Sequence, residues 1–379
     1  MDDLKNPLKI VFVGGHHTPA LAVMASLAAK LKTAGKPYKF YWIGHKYSMW
    51  GDKKESAEYR EVTALNIPFY DLKAGKLYRT YHPLKLLRLP LGFLQALLYI
   101  RRLSPQLTVS FGGYLAVPVA LVSWFRRIPV FTHEQAVSPG LANRIIAHFA
   151  RKVLISFPES QQYFPKNKSV LTGNPLRKEI FEVNQPISFP LDREKYPTIY
   201  ITGGKQGGHT INRTVGEILP ELLSHFNIIH QCGSSTVYGD FQYLELEAGK
   251  LPDSLSDGYI LKDYFAASQV GSVFAKADFV LSRSGANIVS ELAALGKPAV
   301  LIPIPWSSGN EQENNAKVLV KAGLAVILPQ TELSGERLLK TCLEFSGRLK
   351  EFIPERATRA PVELSAAEII ATELFMAIR

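Results

Sequence analysis

The chain has 379 residues, 46% of them hydrophobic, and a mean hydropathy near zero (+0.01). This composition excludes an intrinsically disordered protein, and the length favours two domains over a single core. Lys and Arg number 44 against 33 Asp and Glu, which gives a formal charge of +11. The basic residues interleave with apolar ones and no nucleic-acid motif accompanies them, so we expect phosphate-bearing or membrane partners and no nucleic acid. Two cysteines, Cys232 and Cys342, exclude a disulfide framework and indicate a reducing cytoplasm.

The first residues and the longest apolar run bear on localisation. The chain starts MDDLKNP, with acidic residues where a signal peptide needs basic ones. The longest uncharged apolar run, 89–100, contains Pro90 and Gly92 and has about a dozen residues, whereas a membrane-spanning helix needs roughly 20. We therefore expect neither a secretion signal nor a transmembrane helix.

Predicted strands alternate with helical patterns along the whole chain. Four strands end in glycine turns, two in each half of the chain: 9–15, 107–113, 198–204 and 279–285. Further strands are predicted at 38–43, 129–132, 152–156, 169–172, 227–231, 298–303 and 324–328. This alternation is typical of βαβ units and parallel sheets. The predicted fold is α/β, with two doubly wound domains facing each other across a cleft.

The predicted domain boundaries follow from composition. The segment 183–197 has three prolines and no periodicity, so it is predicted to be a linker. It separates an N-terminal domain at 1–182 from a C-terminal domain at 198–355. The last segment, 356–379, ends in an apolar helical pattern that we expect to pack back on the N-terminal domain.

The first glycine turn, Gly14-Gly15-His16-His17, leads into a helix that has Pro19 in its first turn. A helix start favours an anion, and imidazole can accept a proton near neutral pH. Either histidine is therefore a candidate general base. The alternative is that both are capping or packed residues.

Two basic and apolar segments, 77–102 and 124–127, lie in the first half of the chain. They combine leucine and aromatic residues with Lys and Arg, a pattern typical of a surface that lies on an anionic membrane. The alternative is an ordinary amphipathic helix with a solvated basic face. Two such segments in one half of the chain favour membrane contact.

In the second half, the turn Gly203–Gly208 follows a strand and precedes a helix, as in many phosphate-binding sites. The segment 281–316 then brings a helix start, the carboxylate of Glu291 two turns into that helix, and an amide-rich loop to one sheet edge. A phosphate site, a diol acceptor and clustered amides together predict a sugar-nucleotide pocket.

Metal sites have little support in the sequence, which contains no D-x-D, C-x-x-C or H-x-x-x-H pattern. We expect no metal and no cofactor. A bound diphosphate is then neutralised by backbone amides, helix dipoles, and Arg283, Lys205 or both.

Together, these segments resemble the MurG family of glycosyltransferases, over nearly the whole chain and in the same order. The matching motifs are PALAV (19–23), FGGY (111–114), HEQ with PGLANR (within 133–144), SFPES (156–160), TGNPLRKEI (172–180), GGKQGG (203–208) and SRSGANIVSELAALGKPAVLIPIP (282–305).

The resemblance implies the GT-B fold and a role in peptidoglycan synthesis. GlcNAc would move from UDP-GlcNAc to the C4 hydroxyl of MurNAc in undecaprenyl-diphospho-MurNAc-pentapeptide, with inversion and without a metal. The N-terminal domain would bind the acceptor and dock on the anionic cytoplasmic face of the plasma membrane as a peripheral protein. The C-terminal domain would bind the donor.

The resemblance also implies roles for individual residues. His16 would be the general base, with His17 as the alternate. Glu291 would bind the ribose, Gln312 the GlcNAc hydroxyls, and Leu261 to Phe265 the uracil. The full donor set is Gly204, Lys205, Gln206, Gly207, Leu261, Phe265, Arg283, Ser284, Gly285, Glu291 and Gln312. The acceptor set is Gly14, Gly15, Gly113, Tyr114, Glu134, Gln135, Asn143 and Arg177.

The chain departs from the family pattern in four places. The first glycine loop is three residues shorter than the family's G-G-T-G-G-H, and Ala136 replaces an asparagine. Lys205 replaces a serine, and the sugar loop reads Asn310-Glu311-Gln312-Glu313. These departures bear on which histidine acts, on how the acceptor diphosphate is held, and on the choice of sugar.

Three alternatives to this reaction stay open at the sequence level. One is a UDP-GlcNAc 2-epimerase-like enzyme, which would act on the free nucleotide sugar without an acceptor. Another is a related transferase for a different lipid-linked sugar. A third, suggested by the short first loop, is a non-catalytic scaffold on a membrane.

Overall fold

The structure is a computed structural model that describes residues 6–47, 55–73, 88–352 and 366–378. It divides into two compact units, Met1–Arg177 with Glu363–Arg379, and Lys178–Val362. Each unit has its own parallel sheet and its own core. No helix of the described ranges combines the length and the apolar character needed to cross a bilayer.

In its described residues, the first unit contains a seven-stranded parallel sheet in the order β3-β2-β1-β4-β5-β6-β7. The strands are β1 Leu8–Val13, β2 Tyr38–Gly44, β3 Phe69–Asp71, β4 Leu107–Ser110, β5 Val130–Glu134, β6 Lys152–Ile155 and β7 Ser169–Leu171. The helices are α1 His17–Thr33, α2 Ala57–Ala64, α3 Arg88–Leu103, α4 Ala116–Phe125 and α5 Leu141–Phe149, with a 3-10 helix at Pro158–Tyr163.

Both faces of this first sheet are buried, because helices cover a parallel sheet of this kind on both sides. Successive side chains of a strand point to opposite faces, so they enter two different cores. Along β1, Ile10 and Phe12 pack into the core on the α1 side, while Val11 and Val13 pack into the core formed with α3, α4 and α5. The run IVFV (10–13) is apolar throughout because neither face of this central strand meets water.

The second unit has six parallel strands in the order β10-β9-β8-β11-β12-β13 within the described residues. They are β8 Thr198–Thr202, β9 Asn227–Gln231, β10 Tyr259–Lys262, β11 Phe279–Ser282, β12 Ala299–Leu301 and β13 Ala325–Ile327. The helices are α6 His209–Glu217, α7 Leu219–Leu223, α8 Asp240–Ala248, α9 Asp253–Ser256, α10 Ala267–Lys276, α11 Ala286–Leu295, α12 Glu311–Lys321 and α13 Gly335–Gly347. Short 3-10 helices lie at Lys178–Phe181, Ser308–Asn310, Gln330–Glu332 and Leu349–Phe352.

The last helix, α14 Ala366–Ala377, belongs to the first unit and packs on α1. Ile370, Ala371 and Leu374 are fully buried in the core that also contains β1 and α1. Lys152 on β6 forms an ion pair with Glu373. The C-terminal end of the chain therefore completes the first unit; residues 356–365 of the predicted segment lie outside the described residues.

The prediction of two doubly wound α/β domains is confirmed, and every predicted strand is present. Two strands that the sequence did not predict, β3 and β10, are short and only partly buried. Each lies at one edge of its sheet. An edge strand lacks the continuous apolar run that marks a central one, which explains why both were missed.

The predicted linker, 183–197, packs as part of the second unit, and the division falls between Arg177 and Lys178. Arg193 is buried, and its guanidinium donates to the Leu223 and Phe226 carbonyl oxygens at 2.8 and 2.9 Å. Proline removes regular hydrogen-bonded structure but does not prevent packing, so an aperiodic segment with three prolines can still be part of a core.

Candidate active site

In the first unit, two glycine turns pack backbone to backbone at the carboxyl ends of β1 and β4. The Gly15 N–H donates to the Gly112 carbonyl oxygen at 3.3 Å. A Cβ added at Gly14 would lie 2.8 Å from the Phe111 carbonyl carbon, and one at Gly113 would lie 3.0 Å from the Gly15 nitrogen. Both glycines also have positive φ, +145° and +81°. Only glycine fits this contact. Gly15 and His16, which follow Gly14, are exposed at the surface.

The two adjacent histidines have different environments. His17 is the first residue of α1 and only 7% exposed, and its Nε2 lies 3.1 Å from Oε2 of Glu61 on α2. His16, by contrast, is exposed at the surface. Desolvation by the surrounding protein, and then the charge of His17, lower the pKa of His16 to about 4. The His16 ring is therefore neutral at pH 7, the form that can accept a proton.

His133, at the end of β5, is a neighbour of His16 that sequence reasoning did not single out. Its Nε2 lies 3.3 Å from the Gly173 carbonyl oxygen and 3.2 Å from Ser156 Oγ. Desolvation lowers its pKa to about 4, and His16 contributes in the same direction. The only sequence signal was its place in the HEQ motif at a strand end.

Glu134 and Asn143 form a buried network with their neighbours. The Ala136 N–H donates to Glu134 Oε1, and the Asn143 amide donates to Glu134 Oε2, both at 2.9 Å. Asn143 also donates to the His133 carbonyl oxygen at 2.9 Å and accepts from Thr132 Oγ1 at 2.7 Å. These contacts favour the structural alternative for Glu134, a side chain that holds the loop after β5.

The remaining predicted acceptor residues differ in their exposure. Gln135 is 7% exposed, and its Oε1 is buried without a partner among the described residues. Tyr114 is partly exposed, and desolvation followed by the Glu58 charge raises its pKa. Glu58 was not predicted: desolvation raises its pKa to about 8, and Trp42 Nε1 donates to its carboxylate at 2.6 Å. Arg177 lies partly buried at the end of the unit.

In the second unit, the turn Gly203–Gly208 is compact and closed against the end of β9. A Cβ at Gly207 would lie 2.1 Å from the Cys232 carbonyl oxygen. The Ser234 N–H donates to the Lys205 carbonyl oxygen at 2.9 Å. Gly204 and Gln206 are exposed, and a Cβ at Gly204 would meet open space. The turn thus presents Gly204 to Gln206 outward, directly before the N-terminus of α6.

Arg283 lies against this turn. It is only 7% exposed, and its guanidinium donates to the Ile302 carbonyl oxygen at 3.1 Å. Its Nε is buried without a partner among the described residues and lies 3.4 Å from the position of a Cβ on Gly208. Desolvation lowers the pKa of Arg283 to about 10, so the group is still a cation at pH 7. A buried cation that has no carboxylate partner in the described part of the chain, and lies beside a helix N-terminus, is suited to an anion.

Hydrogen bonds join this anion site to the sugar loop. Ser284 is fully buried, and its Oγ donates to the Gln312 carbonyl oxygen at 2.8 Å. Gly285 follows as the N-cap of α11, and Glu291 lies buried on that helix. The Ile304 N–H donates to Gln312 Oε1 at 3.0 Å, so the amide NH₂ of Gln312 is the group left for a ligand.

The segment predicted to bind uracil is tied to the glycine turn by Gln231, a residue that was not predicted. Gln231 Oε1 accepts from the Phe265 N–H at 3.1 Å, and its Nε2 donates to Thr202 Oγ1 at 3.2 Å. Phe265 is a core residue, and Leu261 is partly buried on β10. Both the side chain and the N–H of Phe265 are thus already used, whereas residues 262–264 are partly or fully exposed.

No group of three or more His, Cys, Asp or Glu side chains in the described part of the chain could hold a metal ion.

Comparison with known proteins identifies the family. Residues 13–155 match the Glycosyltransferase family 28 N-terminal domain, and residues 198–371 match its C-terminal domain. A protein of Lachnoclostridium phytofermentans is 35% identical over 91% of this chain and 92% of its own length. It is named UDP-N-acetylglucosamine–N-acetylmuramyl-(pentapeptide) pyrophosphoryl-undecaprenol N-acetylglucosamine transferase. A protein of the same name (number 3) from Bacillus thuringiensis strain Al Hakam is 35% identical over 89% of this chain and 91% of its own.

The crystal structure of Acinetobacter baumannii MurG is 26% identical, with a TM-score of 0.67 over 98% of this chain and 100% of that one. The chain belongs to the MurG family. It is therefore a glycosyltransferase with the GT-B fold. UDP-GlcNAc 2-epimerase from Neisseria meningitidis has a TM-score of 0.65 at 14% identity, over 97% of this chain and 100% of that one, which shows a shared fold only.

In this member of the MurG family, the predicted site residues form two groups, one in each unit. The first unit collects Gly14, Gly15, His16 and Gly113 at one sheet edge, with Glu134 and Asn143 bracing the next loop. The second unit collects the glycine turn, Arg283, Ser284 and Gln312. His17 and Phe265 face other protein groups.

Proposed function

We propose that this chain transfers GlcNAc from UDP-GlcNAc to the C4 hydroxyl of MurNAc in undecaprenyl-diphospho-MurNAc-pentapeptide, converting lipid I to lipid II. The identity of 35% with transferases of that name across both domains carries the proposal. The donor binds to the second unit and the acceptor to the first. The likeness to 2-epimerases lies in the fold and does not favour their reaction.

The chemistry of the proposed reaction assigns His16 to the acceptor hydroxyl. Its neutral imidazole accepts the C4 hydroxyl proton while that oxygen forms a bond to C1 of GlcNAc. The C1–phosphate oxygen bond breaks on the opposite face of C1, and its electron pair leaves with UDP. Attack opposite the leaving group inverts the α-linked sugar to a β-1,4 product.

The departing diphosphate gains negative charge that the second unit stabilises. The buried cation of Arg283, the outward backbone of Gly204 to Gln206 and the N-terminus of α6 supply this stabilisation. Lys205 adds a further positive charge on the same turn. Glu291 accepts hydrogen bonds from the ribose, and the Gln312 amide donates to a sugar hydroxyl oxygen.

A surface of the first unit is suited to the membrane that carries the acceptor. Its exposed apolar side chains are Leu91, Leu94, Leu97 and Leu98 on α3 and Trp124 and Phe125 on α4. An apolar hollow of about 430 Å³ lies between these helices. Arg101, Arg102, Arg126 and Arg127 are exposed at the helix ends. Such a surface fits peripheral binding to the anionic cytoplasmic face of the plasma membrane; residues 77–87 of the predicted segment lie outside the described residues.

Release of UDP from UDP-GlcNAc in the presence and absence of a soluble lipid I analogue tests the reaction. We expect release to require the acceptor, and the product mass to increase by one GlcNAc. Parallel assays with UDP-GalNAc, UDP-Glc and UDP-Gal define the sugar. Acceptor-independent conversion of UDP-GlcNAc, followed by NMR, would instead identify an epimerase, and acceptor-independent release would contradict the proposal.

Co-sedimentation with vesicles tests the membrane surface. We expect binding to vesicles with anionic lipid that weakens with salt, and little binding to neutral vesicles. The double variant L94Q/F125Q should lose most of this binding. The matched control, Leu191→Gln, changes a 93% exposed leucine on the second unit and should bind like the parent. Equal losses in both variants would contradict the assignment.

A further inference from the structure

Trp306 is a large aromatic residue that neither the family motifs nor the proposed reaction uses. It lies in the loop between β12 and α12 and is 64% exposed. Pro305 and Ser307 flank it in the sequence. Exposed indole is apolar surface left in water, and covering it by a ligand is favourable.

The loop that carries Trp306 is held at both ends. The Gln312 side chain accepts from the Ile304 N–H at 3.0 Å, and the Gln312 N–H donates to Ser307 Oγ at 3.3 Å. The Ser307 N–H donates to the Ile304 carbonyl oxygen at 3.3 Å. Trp306 lies inside this hydrogen-bonded loop. The backbone is therefore already ordered, and a ligand that contacts the indole loses little binding free energy to ordering it.

Two further hydrogen bonds fix this loop beside the anion site. Ser284 Oγ donates to the Gln312 carbonyl oxygen at 2.8 Å, and Asn315 Nδ2 donates to the Ser284 carbonyl oxygen at 3.3 Å. Ser284 directly follows Arg283. A buried cation, an amide donor and an exposed indole therefore lie on the two hydrogen-bonded loops that follow the neighbouring strands β11 and β12.

A pyranose has an apolar face of C–H groups and a polar rim of hydroxyls, so an aromatic ring beside an amide donor suits it. We infer that Trp306 stacks on the hexosamine of the donor while the Gln312 amide donates to a ring hydroxyl oxygen. This inference rests on the proposed function of the second unit as the UDP-sugar site. It assigns sugar binding to a residue outside the glycine turns and α11.

Intrinsic fluorescence of the full chain tests the contact directly, because the protein has four tryptophans and each can be replaced singly. Titration of the parent with UDP-GlcNAc should change the emission, while UDP alone should give little change. Trp306→Phe should abolish the sugar-dependent change. The control Trp124→Phe, which alters an exposed tryptophan of the first unit, should retain it.

Steady-state kinetics give the second readout. Trp306→Ala should raise KM for UDP-GlcNAc about tenfold and change kcat less than about twofold, because the stacking contributes to ground and transition states alike. Trp306→Phe should give a smaller rise. The control Leu246→Ala removes a 67% exposed apolar side chain on α8 of the same unit and should keep the parent KM.

The outcomes separate this inference from the proposed function. If the parent transfers GlcNAc but Trp306→Ala keeps its KM, or if UDP alone gives the full fluorescence change, the inference is wrong and the transferase stands. If the parent shows no acceptor-dependent release of UDP, the proposed function fails. A fluorescence change that appears only with vesicles or with rising protein concentration would assign Trp306 to a surface contact and overturn the inference.

Discussion

His17 Nε2 lies 3.1 Å from Oε2 of Glu61, whereas His16, one residue earlier, has no hydrogen-bond partner among the described residues. The contact joins the start of α1 to α2, so the His17 ring already has a protein partner. Sequence alone left open which histidine acts as the base. The structure favours His16 for chemistry and His17 for the position of the loop that carries it.

His16→Ala should lower kcat by about 100-fold or more with little change in KM for UDP-GlcNAc, because a general base contributes in that range to the transition state. Glu61→Gln leaves the base in place and weakens only the support of the loop. It should cost about 1 kcal/mol of stability and much less activity. Acceptor-dependent UDP release measures kcat and KM of both variants, and thermal unfolding measures their stability. Equal losses of kcat in the two variants would contradict the assignment.

Arg283→Met should weaken UDP binding about 10- to 100-fold and lower kcat as well, because a hydrogen bond to a charged group is lost where leaving-group charge develops. Methionine keeps the length of the side chain but removes the donor to the Ile302 carbonyl oxygen. Calorimetric titration with UDP gives the affinity, and a thermal scan shows that the variant is folded.

The comparison for this variant is Lys205→Gln, which removes a partly exposed charge from the glycine turn. Its effect on UDP affinity should be smaller, since a solvated charge contributes less than a buried one. A Lys205 variant that loses more affinity than Arg283→Met would show that the turn, and not the buried guanidinium, carries the diphosphate.

The positions of the central strands could be predicted because each is an apolar run that ends in a turn, and both sheets bury both faces. The sequence could not show which polar side chains hold the loops. Asn143 reaches Glu134 and the His133 carbonyl oxygen from another element, and Gln231 reaches Phe265 across the sheet edge. Such contacts join residues 9 to 34 positions apart, beyond the reach of local periodicity.

The stability of the second unit should fall in acid, because burial lowers the pKa of His230 to about 3. The unfolded chain binds this proton below about pH 6.5, whereas the folded unit does not bind it until about pH 3. Between these values protonation favours unfolding. Lowering the pH from 7.5 to 5 should therefore cost about 2 kcal/mol from this residue alone.

Urea unfolding of the full chain at several pH values, followed in the transition of the second unit, measures this dependence. His230→Gln removes the titrating group and should flatten the profile between pH 7 and 5, although it weakens contacts to Asn212 and Tyr259. The slope is the diagnostic quantity, since the loss of contacts lowers stability at every pH alike. An unchanged slope would show that other groups carry the acid sensitivity.

Gln312→Glu tests whether the amide NH₂ of Gln312 donates a hydrogen bond to the sugar of the donor. The glutamate can still accept from the Ile304 N–H, so the loop should keep its shape, but it has no NH₂ group to donate. We expect KM for UDP-GlcNAc to rise about tenfold while affinity for UDP is unchanged, because only the contact to the sugar is lost. Titration with UDP and kinetics with UDP-GlcNAc separate the two effects. Equal weakening of both ligands would mean that the loop has moved, and that Gln312 supports the site without contacting the sugar.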